Sequence, residues 1–318
     1  MIKFPRCATV AASLVLSVSA VSAAHAATTY DYDVVAFGNF TSANTEVNGA
    51  LAVGGNATVS SFSVGKDLGA AYNGTSLAVG GNLTYNNGSV FRGDVVAGGN
   101  ISSPGPTVNN GTKTANGIVP LDFAAELVRM KGVSSLIAGL DTNGTITSSG
   151  GLKLTGTDSV LNVFSINASD LQVGSGLSVV IPNGSVAVIN VAGTSFASTY
   201  AGSFTINGQT IANNSAGLAS SLLFNFTDAT SLTFLGSWGG NVLAPTANVQ
   251  LANGGFFGSL VADNVTSTSE FYMGRFSGYD RLQPPPAVPE PATWMMMIAG
   301  FGLIGGLMRR KTRQLSFA

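Results

Sequence analysis

One short phrase recurs three times in this chain, and the repetition limits what the chain can fold into. The phrase runs Leu51-Ala52-Val53-Gly54-Gly55-Asn56, then Leu77-Ala78-Val79-Gly80-Gly81-Asn82, then Val95-Val96-Ala97-Gly98-Gly99-Asn100, with the corners 26 and 18 residues apart. A related unit returns late, as Gly240-Asn241-Val242-Leu243-Ala244-Pro245 and Gly258-Ser259-Leu260-Val261-Ala262-Asp263, with its glycines 18 apart. Alternate side chains of Leu51-x-Val53 and Leu77-x-Val79 fall on one face, which is strand periodicity. Gly-Gly-Asn then supplies residues that tolerate a sharp turn. A period of about 18 residues holds three short strands and three corners, and stacked coils bury an inner ladder of aliphatic side chains. Each buried aliphatic contributes about 1.5–3 kcal/mol. The expected fold is a β-solenoid, with the 26-residue interval carrying a loop over Lys66 to Gly74.

The middle of the chain holds strand-like runs at irregular spacing: Leu161 to Ile166, Val186 to Val191, Leu222 to Phe226 and Leu232 to Leu235. Turn signals such as Pro182-Asn183-Gly184 and Asn207-Gly208 separate them. The irregularity leaves a β-sandwich as the alternative. One segment breaks the β pattern. Between Pro120 and Leu140, Phe123, Leu127, Met130, Ile137 and Leu140 share a helical stripe. Asp122 and Glu126 suit its N-terminal end, and Arg129 and Lys131 fall on the polar side. This predicts an amphipathic helix that lies along the solenoid or caps one end.

Charge and composition exclude several classes. Charged residues are 9% of the chain, against a globular norm of about 25%. Between Ala27 and Val288 there are fourteen acidic and eight basic residues, a net of −6, so no basic patch points to nucleic acid. The only Cys and the only His are Cys7 and His25.

Both of those lie in an N-terminal segment with the marks of a secretory signal peptide. Lys3 and Arg6 precede an apolar run from Ala8 to Val21, and Ala24-His25-Ala26 is a small-x-small cleavage site. Cleavage by signal peptidase after Ala26 leaves a chain without imidazole or thiol. Such a chain has no Ser-His-Asp triad, Cys-His dyad or His/Cys zinc site. No cofactor is expected.

The other end, residues 289–313 after a Pro-rich linker at 283–288, is equally marked. Pro289-Glu290-Pro291 and Trp294 precede an apolar run from Met295 to Met308, then Arg309-Arg310-Lys311. Fourteen helical residues span about 21 Å, close to the lower limit for a single transmembrane helix in a hydrocarbon core of roughly 30 Å. The basic cluster serves as a cytoplasmic stop-transfer signal. This tail resembles the PEP-CTERM sorting signal. The resemblance implies recognition of Pro289, Glu290 and Pro291 by an exosortase-type membrane enzyme, a transient inner-membrane anchor, and delivery to the cell surface or extracellular matrix.

The 27–282 passenger has its own resemblance. Asp33 to Phe40, the Leu51–Asn56 phrase, the helix after Pro120 and Gly240 to Pro245 together resemble the choice-of-anchor A family. That implies a domain working at the surface, and it supplies no catalytic residues or ligand.

Candidate sites are sparse. Asp31 and Asp33 are spaced to offer Ca²⁺ two oxygen ligands, although a solvated strand start is the plainer explanation. Asp158, Asp170, Asp228, Asp263 and Glu270 would need to converge to cleave a glycan, and Arg92 or Arg275 would be the base of a lyase. Thr58 and Thr84 hold equivalent repeat positions with Ser102 near the third, which as a flat array would suit ice. Asn39, Asn56, Asn73, Asn82, Asn100, Asn143 and Asn225 open glycosylation sequons. The expectation is a non-enzymatic adhesin or structural protein of biofilm or exopolysaccharide, partnered by polysaccharide or other surface proteins. The alternatives are a secreted carbohydrate-active enzyme and an ice-binding protein.

Overall fold

The computed structural model describes residues 27–102, 104–172, 176–198, 204–211, 216–282 and 301. The signal peptide, its Ala24 and Ala26 cleavage site, the Pro-rich linker, Pro289-Glu290-Pro291 and the Arg309-Arg310-Lys311 stop lie outside the described residues.

The repeat phrase folds as its periodicity requires. Leu51–Val53, Thr75–Val79 and Asp94–Ala97 lie side by side in parallel, with Leu51 against Leu77 and Val53 against Val79 in register. After each Gly-Gly-Asn corner the chain enters a second strand, Ala57–Val64 or Leu83–Val90. That strand bends midway at a residue of positive φ, Asn44 (55°), Ser61 (46°) and Asn87 (64°) in successive coils. The bend divides it into two faces, so the rod is three-sided. Every pairing in the ten-stranded and twelve-stranded sheets is parallel. A β-sandwich, whose sheets are antiparallel, is therefore replaced by stacked coils. The irregular middle of the chain joins the same stack. Val186–Ala192, Ser195–Ser198 and Phe204–Ile206 form one coil, and Leu222–Asn225, Ser231–Leu235 and Trp238–Gly239 the next.

The order of coils is not the order of the chain. Val34–Ala36, the first strand, pairs on one side with Leu51–Val53 and on the other with Leu260–Ala262, the last strand of its sheet. The chain starts in the middle of the rod, winds outward to Lys113–Thr114, crosses back, and begins again at the far end with Leu161–Asn167. It then winds inward until its last coil closes against its first. The result is two arms, 34–117 and 145–272, joined at the centre.

The helix Phe123–Ala138 makes this possible. Asp122 caps it, with the Ala125 N–H donating to Asp122 Oδ1 at 3.1 Å. Sixteen residues span about 24 Å, the height of roughly five coils at about 4.8 Å each. Met130, Val133 and Ile137 are buried, and they cover the outward side chains Val35, Ala52, Ala78, Val188, Leu223, Leu243 and Val261. The helix therefore lies along the rod and bridges both arms. Covered on both sides, the first face reads as continuous apolar triplets such as Val34-Val35-Ala36 and Leu260-Val261-Ala262. Arg129, expected on the polar side, instead pairs with Glu126 and sits 4.2 Å over the Tyr30 ring. The sequence stripe missed this because residues 27–32 fold back over that flank of the helix, where the Thr29 N–H donates to Glu126 Oε2 at 2.7 Å.

Among the described residues no helix is long and apolar enough to cross a membrane. Apart from Phe301, the predicted transmembrane helix lies outside them.

Candidate functional site

The second face of the rod is open to solvent, and its outward side chains line up. Reading across the registers, the central row runs Ala197, Thr233, Gln250, Thr266, Thr41, Thr58, Thr84 and Ser102. Five threonines thus stand in one row that crosses the join between the arms. At about 4.8 Å per coil the row is about 34 Å long. It contains no charge. The residues between its members point inward: Phe40, Val59, Tyr85, Val265, Val249 and Leu232 are buried.

A second ladder borders the first. The Asn56 N–H donates to Asn39 Oδ1 (2.9 Å), Asn82 N–H to Asn56 Oδ1 (2.8 Å) and Asn100 N–H to Asn82 Oδ1 (2.9 Å). Across the join, Asn39 N–H donates to Asn264 Oδ1 (2.7 Å), and Asn264 Nδ2 donates to Asn248 Oδ1 (2.8 Å). Each asparagine thereby ties its coil to the next and fixes the register of the row residue two positions on, a threonine in four of the six.

This explains five of the sequons. Asn39-Phe40-Thr41, Asn56-Ala57-Thr58, Asn82-Leu83-Thr84, Asn100-Ile101-Ser102 and Asn264-Val265-Thr266 are each a corner asparagine followed by an outward hydroxyl. Sequence reasoning found Thr58, Thr84 and Ser102 and missed Thr41, Thr233 and Thr266. The Asn-x-Thr spacing was the signal for Thr41 and Thr266. Asn225 is corrected outright as a glycan acceptor. It is fully buried, with Nδ2 donating to Ser134 O and Asn190 Oδ1, both at 2.9 Å.

The acidic candidates do not assemble. Asp158 Oδ1 accepts from the Val160 and Leu161 N–H groups, which lower its pKa. Asp170 accepts from Asn167, Asp263 from Asn264, and Glu270 from Asn48 and Tyr272. Asp228 is exposed on a turn. Among the described residues no group of three or more His, Cys, Asp or Glu is placed to hold a metal ion.

Asp31 and Asp33 also separate. Asp31 is exposed and bonds to Thr28. Asp33 is 1% exposed, so it is not a solvated strand start. Its Oδ2 accepts from the Ala50 N–H (3.0 Å) and from Arg275 Nη2 (3.1 Å). Arg275, a candidate lyase base, is thus a structural cation that joins the last coil to the first. Tyr30 stacks on Tyr279 at 4.2 Å beside it, closing the same seam. Arg92 has a buried Nε without a protein acceptor among the described residues.

The architecture is that of a two-armed parallel β-solenoid with one covered face and one uncharged, laddered face. The chain belongs to the family of putative ice-binding-like adhesive domains, whose profile matches residues 25–273. The PEP-CTERM protein-sorting motif is found at residues 287–313. Such a motif implies export, membrane-associated sorting to the cell surface, and processing by exosortase and signal-peptidase-type machinery. Among solved structures, the chain is similar to an ice-binding protein from the Antarctic ascomycete Antarctomyces psychrotrophicus, with 15% identity, 77% of this chain and 94% of that chain covered, and a TM-score of 0.38. It is also similar to an ice-binding protein from an Antarctic biological consortium, with 14% identity, 77% and 87% covered, and a TM-score of 0.38. No curated protein matches the chain.

Proposed function

We propose that this protein is an exported, non-enzymatic adhesin, sorted by an exosortase and displayed on the cell surface or in the extracellular matrix. Its passenger is read as choice-of-anchor A-like, serving biofilm or exopolysaccharide. Signal peptidase cuts after Ala26. The exosortase reads Pro289, Glu290 and Pro291 while Arg309, Arg310 and Lys311 hold the tail at the inner membrane. The single observation that carries the adhesive assignment is the uncharged Thr/Asn ladder on the open face. A row about 34 Å long that repeats one hydroxyl and one amide per coil matches an extended, repetitive, weakly charged partner, as a neutral polysaccharide is. Many weak contacts then act together.

The test introduces Thr41→Lys and Thr58→Lys into the exported protein and measures retention on immobilised host exopolysaccharide. Retention is expected to fall by at least about tenfold, as for loss of a central contact; unchanged retention contradicts the assignment. Five threonines in one register also favour a second reading, binding to ice. Inhibition of ice recrystallisation by the same protein, lost in the same variants, would select that reading. For sorting, Glu290→Ala with Pro291→Ala is expected to leave unprocessed chain in the inner membrane, and normal release would contradict it.

A further inference from the structure

Away from the ladder, a cavity of about 380 Å³ opens where the N-terminal segment meets the 66–74 loop, lined by Asp31, Tyr32, Tyr72, Asn73, Thr75 and Arg275. The loop is the insertion that lengthens one coil from 18 to 26 residues, and it delivers Tyr72 to this wall. The Tyr72 hydroxyl donates to Thr75 O at 3.1 Å, which holds the ring at this wall. Two glycines make room for that ring. A Cβ on Gly74 would lie 2.9 Å from the Tyr72 hydroxyl oxygen, and one on Gly93 would lie 2.7 Å from Tyr72 Cε1.

Polar groups of the same lining are also held. Arg275 donates to Tyr30 O (3.3 Å) and Asp33 Oδ2 (3.1 Å), so its guanidinium is fixed. About a third of its side chain stays exposed (32%); two of its five N–H groups are used and a third, on Nε, is buried without a partner among the described residues. Asp31 Oδ2 takes both Thr28 bonds, which leaves Oδ1 as an acceptor. Asn73 is exposed at the rim.

An aromatic ring that lines one cavity with a guanidinium, a carboxylate and an amide is the chemistry that holds a sugar ring. The C–H face of a pyranose packs on the negative face of the aromatic ring, while its hydroxyls, each both donor and acceptor, meet donors and acceptors placed around the edge. The volume is at the small end of ligand cavities, which suits one ring rather than a chain. The lone guanidinium is already paired with buried Asp33, and Asp31 adds a second negative charge, so an acidic sugar is disfavoured. We propose that this cavity binds a single neutral pyranose unit, with Tyr72 as the stacking platform and Arg275, Asp31 and Asn73 as its polar contacts. The site is separate from the ladder face and stands whether or not the ladder binds polysaccharide.

The experiment uses the full-length chain in a non-glycosidic detergent, with methyl glycosides of glucose, galactose, mannose, N-acetylglucosamine and glucuronic acid as probes, read by saturation-transfer NMR. At least one neutral glycoside is expected to bind with Kd of about 1–10 mM. Tyr72→Ala is expected to weaken it by at least about tenfold, about 1.4 kcal/mol. Tyr72→Phe, which keeps the ring but loses its bond to Thr75 O, should weaken it less than Tyr72→Ala does, and Lys131→Ala on the exposed side of the helix should leave it unchanged. If Tyr72→Ala disturbs folding, Asn73→Ala at the exposed rim serves in its place, with binding weakened and melting temperature unaltered. Absence of neutral glycoside binding, preference for the glucuronide, or insensitivity to both the Tyr72→Ala and Asn73→Ala changes would overturn the proposal.

Discussion

The arm spanning 34–117 turns its first corner on glycine pairs and asparagines, and its core is mostly Val and Leu. The arm spanning 145–272 turns on varied residues and fills its centre with rings. In the first arm a Cβ on Gly80 would lie 2.2 Å from Gly54 O, and one on Gly98 would lie 2.3 Å from Gly80 O, so each corner stacks directly on the last. In the second arm Trp238 lies within 4.7 Å of the centroids of Phe204, Phe224 and Phe234 and 5.8 Å from Phe196. Glycines also stack in the second arm, where a Cβ on Gly258 would lie 2.5 Å from Gly240 O and one on Gly254 2.5 Å from Gly236 O, so the arms differ chiefly in what fills the centre, mostly aliphatic side chains in the first and a ring cluster in the second. The Gly-Gly-Asn phrase repeats three times in the first arm, and that is why the sequence announces this arm more clearly.

This contrast can be broken most directly at Trp238. Trp238→Ala is expected to cost about 3–5 kcal/mol in denaturant unfolding, against about 2 kcal/mol for Val79→Ala in the other arm. Equal costs would mean that the rings are not what fills the second arm.

The next effect belongs to the glycine corners. Gly80→Ala is expected to destabilise by about 2–3 kcal/mol, because the stacked backbone cannot retreat. Gly217→Ala in the second arm has nothing within 4 Å of its new methyl and should stay within about 0.5 kcal/mol. The two values, read from thermal or chemical melts, would coincide if backbone stacking were unimportant.

The arms also hold the helix differently. Over the first arm it rests on Ala52 and Ala78. Over the second it is clasped by hydrogen bonds. Ser134 Oγ donates to Asn225 Oδ1 (2.6 Å), Asn225 Nδ2 to Ser134 O (2.9 Å), and Asn190 Nδ2 to Ile137 O (2.9 Å). Asn225→Leu leaves buried partners unpaired and is expected to cost about 1–3 kcal/mol, with faster amide exchange in the C-terminal half of the helix. Protection unchanged there would remove the clasp from the account.

The smallest effect is at the join. Burial opposes ionisation of Glu126, but Arg129 and the Thr29 N–H and hydroxyl outweigh it and bring the pKa below the ordinary value. A carboxylate depressed in the folded state adds stability above its unfolded pKa of about 4.3, and that stability is lost as pH falls through the folded value. The wild-type protein should therefore lose stability on acidification more steeply than Glu126→Gln. Parallel acid titrations of stability would show that Glu126 is not coupled to folding.

The sequence carried the solenoid because Leu51-x-Val53 and its copies repeat literally, and because Asn-x-Thr marks both a corner and an outward hydroxyl. It carried less of the second arm, where Trp238 and Phe196 replace repeated aliphatics and the related unit Gly240 to Pro245 lacks the Gly-Gly-Asn corner. It could not carry the coil order. Nothing in a local period tells Val34 to pair with Leu51 on one side and Leu260 on the other; the helix and the crossing segment before it decide that. The same order completes the threonine row, since Thr41 and Thr266 are neighbours only because the last coil returns to the first. Arg129 and Asp33 were misplaced for a related reason, as both are covered by segments that close the seam.

That meeting of first and last coils can be measured by a disulfide. With Cys7→Ser removing the native thiol, Thr41→Cys and Thr266→Cys place two thiols on register partners, about 4.8 Å apart between Cα atoms and within disulfide reach. Mild oxidation is predicted to cross-link this pair fully, giving a faster-migrating looped chain. Thr41→Cys with Thr233→Cys, two coils further along, should stay reduced. Failure of the first pair to close, or equal closure of both, would contradict a rod wound outward from its own centre.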